Sequence, residues 1–394
     1  MKNLKDLFLL QQDIAFLNFG SFGACAKPIF EDYQKWQLEL EQEPAQFIQV
    51  NGPVYLKQSR EALAKYINCS DADDLVYVTN PSYATNIIAK SIKLNPGDEV
   101  LTTNLEYGAA DRAWDYYCKK AGAKYVRQKI TLPVTTKEKF IEDFFAGMSS
   151  RTKLIFISEI TSTTALKFPV KQICEIAKQK GIMTFVDGAH SPGHIPVDLS
   201  KLNADIYTGA CHKWMMTPKG SSFLYVKKAF QDLFDPLLVS WGYNAMFPSH
   251  SQFLDYHQMQ GTRDFSAFLT IPKAIEFMEQ YNWPQVSKVC CELVRKNALR
   301  FCELVGTKPV SPITEEWLGQ MFSIPIVTPE PEKLQRHLFI KYKIEIPVMR
   351  QEDKTYLRYS INAFNSQNDL DRLSDALKEI IETTELITVK QLAK

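Results

Sequence analysis

No stretch of this chain approaches the roughly twenty consecutive apolar residues that a bilayer-spanning helix needs. The charged opening MKNLKDLF offers no signal-peptide core either, so a cytoplasmic protein with no membrane partner is the expectation. Excess charge is scarce: 46 Lys+Arg against 45 Asp+Glu leave a formal +1. Without a basic surplus nothing draws in nucleic acid, and any bound anion must be held by local geometry. The eight cysteines lack paired metal-ligand spacing, since Cys290 and Cys291 are adjacent and the others are scattered. They read as reduced thiols, with no metal site. No GxGxxG or GxxxxGK[ST] follows an apolar run, which argues against a nucleotide-binding enzyme. Repeats, low-complexity tracts and flexible linkers are missing as well. Yet 394 residues exceed what one hydrophobic core usually serves, so two lobes built from interleaved segments are expected.

What is present is a rhythm of short apolar runs and amphipathic stretches. Residues 75–79, 99–103, 123–126, 153–157, 183–187, 205–208 and 222–226 read as strands. Helical patterns cover 28–66 (punctuated by Pro44 and Gly52-Pro53), 81–93, 110–122, a stretch ending near 148, and 169–181. That alternation predicts an α/β fold, a mostly parallel sheet covered by helices. From 266 onward the pattern turns α+β, with helices over 266–281, 284–304 and 331–341 and strands over 321–324 and 344–348. A final amphipathic helix uses Leu370, Leu373, Leu377 and Ile381.

In open α/β sheets the chemistry sits where parallel strands end. The run 183–186 ends on Asp187, and the next stops just before Gly209-Ala210-Cys211-His212-Lys213-Trp214. A carboxylate and an amine, 26 positions apart (213 − 187), are thus delivered to one edge by neighbouring strands. Pyridoxal phosphate asks a protein for that pair: an amine for the Schiff base and a carboxylate to keep the pyridine nitrogen protonated. Most lysines after a strand are solvated charges; a nucleophilic one needs its pKa lowered by burial and nearby positive charge. For Asp187 the alternative role is capping the next helix. Asn80-Pro81-Ser82-Tyr83 takes strand 75–79 into a helix N-terminus, a ready anion site where Ser82 could meet a phosphate. Plain N-capping by Ser82 is the competing role, and Pro81 has no N–H to give. Tyr107 lies beyond strand 99–103, placed for ring stacking or simply for the core. The apolar stretch 14–23, IAFLNFGSFG, breaks into a turn at Gly20 and Gly23.

VDGAH at 186–190, CHKW at 211–214 and TPKG at 217–220, together with LNFGSFG at 17–23, GTRD at 261–264 and LRYS at 357–360, resemble the class V aminotransferase family of fold-type-I pyridoxal phosphate enzymes, in its isopenicillin N epimerase-like branch. Several separated motifs agree in order and spacing, over nearly the whole chain. The resemblance implies a large cofactor-binding domain over 21–265, with a seven-stranded-type, mostly parallel sheet. It also implies a smaller C-terminal α+β domain over 266–394, with 1–20 packing against it. Pyridoxal 5'-phosphate would be held by Lys213, Asp187, His190, His212, Ser82, Tyr83, Thr161 and a stacked Tyr107. Lys213, Asp187 and Tyr107 would form the catalytic set. Thr262 would reach the phosphate in the partner's site, which makes the protein a homodimer. Arg358, whose planar guanidinium suits two carboxylate oxygens, would bind an amino-acid substrate with Asn18, Ser21 and Arg263. Where Glu159 stands the family often carries histidine or asparagine, near the cofactor's phenolic oxygen; the glutamate departs from that and reads as a salt-bridging residue or a second acid/base group.

The same resemblance narrows the reaction. Cysteine desulfurases of the superfamily need a nucleophilic cysteine shortly before the carboxylate-binding arginine, and residues 342–356 contain none. Cys211 reads as a packing residue. Epimerisation, the family's indication, needs a base on each face of the α-carbon: Lys213 and one of Glu159, Tyr107 or a water. β-Elimination of a C–S bond needs Lys213 and a leaving group; transamination needs proton return to the cofactor. A degenerate, non-catalytic relative is opposed by the presence of Lys213, Asp187 and Arg358 together.

Overall fold

The computed structural model describes residues 4–389. The extreme ends of the expected first and last segments, 1–3 and 390–394, lie outside the described residues. Strand β1 (Ala15–Phe16) precedes two helices, Lys27–Gln42 and Gly52–Tyr66. The chain then lays down β2 (Leu75–Val78), β3 (Glu99–Thr103), β4 (Lys124–Gln128), β5 (Thr152–Ser158), β6 (Met183–Gly188), β7 (Ile206–Ala210) and β8 (Ser222–Val226). These seven form one sheet in the order β2-β8-β7-β6-β5-β3-β4, as the strand–helix rhythm required.

Among the described strands of this sheet, β8 alone runs opposite to the other six. Returning in parallel would need a crossover of a dozen or more residues, usually a helix. The connection 211–221 is turn and coil, so β8 folds straight back on β7. Lys213 lies in that connection. The strands are apolar on both faces because both faces are covered. Leu154 and Phe156 of β5 join Val76, Ile87, Trp114 and Phe185 in one core. Ile155 and Ile157 point the other way, into a second core with Tyr77, Val186 and Tyr207.

Downstream, β9 (Met321–Ile326), β11 (Val348–Gln351) and β12 (Lys354–Ser360) form an antiparallel sheet in the order β11-β12-β9. The expected strand 344–348 is in fact two. β10 (Ile344–Glu345) pairs in parallel with β1, and β11 pairs with β12. Pro347 lies at the break: it has no N–H for a ladder, and its carbonyl instead accepts the Arg358 N–H at 3.2 Å. The helix expected over 266–281 is likewise split into Ser266–Leu269 and Ile271–Gln280, with Pro272 in the first turn of the second.

The N-terminal segment is tied to the end of β12. The Ser360 N–H donates to the Leu17 carbonyl (2.8 Å) and the Leu4 N–H to that of Ala363 (3.1 Å). Phe8 and Phe19 pack on Phe364, with ring centroids 4.8 and 5.7 Å apart.

Candidate active site

A cavity of about 310 Å³ opens where β5 and β6 end. Its wall includes Ser21, Ser82, Tyr107, Asp187, His190, His212 and Lys213, seven of the residues picked out in the sequence. Asp187 ends up there because it closes the apolar run of β6. It is paired in register with Ser158 on one side and Thr208 on the other. Oδ1 accepts the Ala189 N–H at 2.9 Å, a tight local turn rather than a helix cap. Burial raises the Asp187 pKa, opposed by the Ala189 N–H and by Lys213. A buried carboxylate so little compensated favours a cationic partner.

Lys213 is half-buried, with Nζ 3.3 Å from His190 Nε2. Desolvation, and secondarily the positive charge of Arg358, lower its pKa from 10.5 to about 8; Asp187 works against them. His190 and His212 are also held neutral by burial, His212 down to about 4. His212 Nδ1 lies 2.8 Å from the Ser221 carbonyl, which can only accept. The His212 proton is therefore on Nδ1, and Nε2 carries the lone pair.

Arg358, on the middle strand of the small sheet, is completely buried and behind the wall rather than on it. Its guanidinium donates to the Ser162 carbonyl (2.6 Å) and to Ser21 Oγ (2.8 Å), and Nε has no partner. Ser21 in turn donates to Asn18 Oδ1 at 2.5 Å. Burial lowers the Arg358 pKa to about 10. Among the described residues no ion pair within 4 Å involves Asp187, Lys213 or Arg358. Three ionisable groups thus converge without neutralising one another, and the cavity fits a ligand bearing both cationic and anionic groups, as pyridoxal phosphate with an amino acid would.

The remaining residues picked out in the sequence are scattered, some on the wall and some off it. Ser82 does not cap its helix: Asn80 does, accepting the Tyr83 N–H at 2.9 Å, which leaves the Ser82 hydroxyl on the cavity wall. Tyr83 is off the wall and its amide is spent on that cap. Thr161 is also off it; its hydroxyl bonds Thr164 Oγ1 (2.7 Å) and accepts the Leu166 N–H (2.9 Å). Glu159 faces away, because it follows Ser158 on an extended chain and successive side chains alternate. It takes a hydrogen bond from Tyr207 (2.8 Å) and borders a different cleft. Thr262 is exposed, and Arg263 lies over the Phe268 ring, 5.1 Å from its centroid.

Ser158 and Glu106 were missed. Ser158 lines the cavity and donates both its N–H (2.9 Å) and Oγ–H (2.5 Å) to Glu106 Oε2; Thr103 donates to Oε1 (2.7 Å). Burial, with help from the Asp187 charge, raises the Glu106 pKa to about 7 against these hydrogen bonds. The strand-end rule that found Asp187 would have found Ser158, its register partner.

A mostly parallel sheet with a carboxylate and a lysine at its strand ends is the arrangement of a fold-type-I pyridoxal phosphate enzyme, and the family match bears out that class. The chain belongs to the class V aminotransferase family, whose model matches residues 54–373. Isopenicillin N epimerase of Amycolatopsis lactamdurans is 30% identical, covering 96% of this chain and 98% of its own. L-cysteine desulfhydrase of Arabidopsis thaliana is 28% identical over 94% of this chain and 89% of its own. The apo structure of a cysteine desulfurase from Thermococcus onnurineus NA1 has the same fold, with a TM-score of 0.83 at 18% identity, covering 97% of this chain and 99% of that one.

Proposed function

We propose that this protein is a cytoplasmic, homodimeric amino-acid epimerase that works at the substrate α-carbon. The observation that carries the reading is the fully buried Arg358 guanidinium, which has neutral partners only and stands behind a wall holding a low-pKa lysine. A buried charge of that kind calls for an anion, and an amino-acid carboxylate supplies one. Bound pyridoxal phosphate supplies the electron sink. Asp187 would hold a proton at its pyridine nitrogen, Ser82 would meet its phosphate together with a His212 that gains a proton on Nε2 beside the anion, and Lys213 would take the α-proton. With Glu159 turned away, Tyr107 or a water remains of the candidates named for the other face, and Tyr107 is on the wall. The likeness to an epimerase over nearly the full chain supports this choice. The division into segments 1–20, 21–265 and 266–394 belongs to the same reading.

A second reading, a C–S lyase, is favoured by one observation: among the described residues Lys213 is the single lysine on the wall, and elimination needs just one base. The loaded protein should therefore be incubated with single-enantiomer L-amino acids, cysteine included, and the products separated on a chiral column. Formation of the D-enantiomer supports epimerisation. Released thiol or sulfide with a keto acid would replace it by lyase action, and a keto acid alone by transamination.

A further inference from the structure

Two groups that can only donate fix the hydrogen-bond polarity beneath Lys213. The first is the Gln320 backbone N–H, 2.6 Å from His194 Nε2. His194 is buried and neutral, its pKa lowered to about 3, so its proton lies on Nδ1. There it donates to the His190 carbonyl at 2.9 Å, an acceptor only. The second is the Trp214 indole N–H, 3.3 Å from His190 Nδ1. His190 too is buried, and desolvation, Lys213, Arg358 and His194 all disfavour its charged form. A neutral ring that accepts at Nδ1 must carry its proton on Nε2, and that atom lies 3.3 Å from Lys213 Nζ.

We propose that Trp214 is a positioning residue: by donating to Nδ1 it fixes the His190 proton on Nε2, so that the ring presents a donor to the Lys213 amine. A donor facing Nζ is met by the lone pair of a neutral amine and repelled by the protons of an ammonium. The tautomer therefore works in the same direction as burial and Arg358, and against Asp187, on the charge of Lys213. His212, on the other flank of the lysine sequence, has the opposite tautomer. Trp214 is well placed to be rigid: it is fully buried, with ring centroids 4.1 Å from His194 and 5.1 Å from Phe19. This arrangement is independent of the reaction assigned above, since it concerns only where the protons sit.

The test is nitrogen NMR of the full-length, pyridoxal-phosphate-loaded protein with ¹⁵N-labelled histidine and tryptophan, the His190 signals being assigned by their loss in His190→Gln. The wild type should show His190 protonated on Nε2 alone at neutral pH, with a coupling across the hydrogen bond from Trp214 Nε1 to Nδ1. In Trp214→Phe, which keeps the ring but removes the donor, the proton should redistribute to Nδ1. The pH midpoint for capture of pyridoxal phosphate by the stripped protein should then rise by about one unit. A wild-type His190 protonated on Nδ1 or on both nitrogens overturns the proposal even if the variant fails to fold. So does a Trp214→Phe protein with unchanged tautomer and midpoint. A protein with the stated tautomer but no reaction with amino acids would fault the epimerase reading and leave this one standing.

Discussion

Arg358 combines full burial with hydrogen-bond partners that are all neutral, a costly arrangement for a guanidinium unless an anion arrives. Removing it should weaken substrate far more than cofactor. Arg358→Ala is expected to raise KM by ~30-fold, about 2 kcal/mol for a lost charged hydrogen-bonding partner, with the absorbance of the lysine-bound cofactor retained. Steady-state kinetics and a visible spectrum check both halves. For Lys213 the direction of the shift sets the pH dependence. A lysine whose pKa falls from 10.5 to about 8 becomes a neutral nucleophile above about pH 8, well before an exposed one would. The rate of pyridoxal phosphate capture should rise with pH, bend near 8 and flatten above it; a rate still climbing at pH 10 would contradict the burial argument. Asp187 and Lys213 were legible in the sequence because an apolar run ends on or just before them, whereas Arg358 stands inside β12 and was reached through the family resemblance of LRYS. Glu159 was left between a salt bridge and an acid/base role, and Glu106 was passed over, because the sequence does not show which side chain beyond a strand end turns toward the cavity.

At the scale of elements, the turn 20–23 clips the two halves of the site together. A Cβ on Gly20 would meet Met321 Sδ at 2.5 Å and Ser360 Oγ at 2.9 Å, beside Arg358. Gly23 has φ +64°, and a Cβ there would run into the His212 carbonyl and the Lys213 backbone. Between them Ser21 donates to Asn18 and accepts from Arg358. Gly23→Ala should therefore cost at least about 1–3 kcal/mol for a backbone conformation (φ +64°, ψ −179°) that is nearly exclusive to glycine. It should also loosen cofactor binding by displacing Lys213; a denaturation midpoint and a cofactor titration read the two effects separately. The seven strands and their crossover helices could be read from apolar runs and turn residues, since continuous burial on both faces leaves a plain pattern. The direction of β8 could not: an apolar run looks the same either way, and only the helix-free connection 211–221 sets it. Nor could the break at Pro347, which depends on β1 claiming β10 from more than 300 residues away in sequence. Trp214 was visible as bulk, but its role depends on a nitrogen that the fold alone brings to His190.

Across the whole molecule, the region after β8 exposes an unusual amount of apolar surface: Trp241 is 79% accessible, Met246 79% and Phe247 88%. Beyond the intervening helix Gln252–Gln258 lies exposed Thr262. Apolar patches of that kind mark interaction sites, and a second copy of this chain is the partner that the homodimer reading supplies. Trp241→Asp with Phe247→Asp should shift the protein from dimer to monomer in sedimentation and lower its cofactor occupancy; a stable, fully loaded monomer would refute shared sites. The central claim is that Lys213 moves the α-proton of an amino acid, and solvent exchange tests it most directly. The loaded protein would be incubated in D₂O with a panel of L-amino acids and followed by proton NMR. The account predicts that the α-proton signal of at least one amino acid disappears with wild type and persists with Lys213→Ala. Retention of every α-proton by a wild-type protein that has visibly bound its cofactor would contradict it.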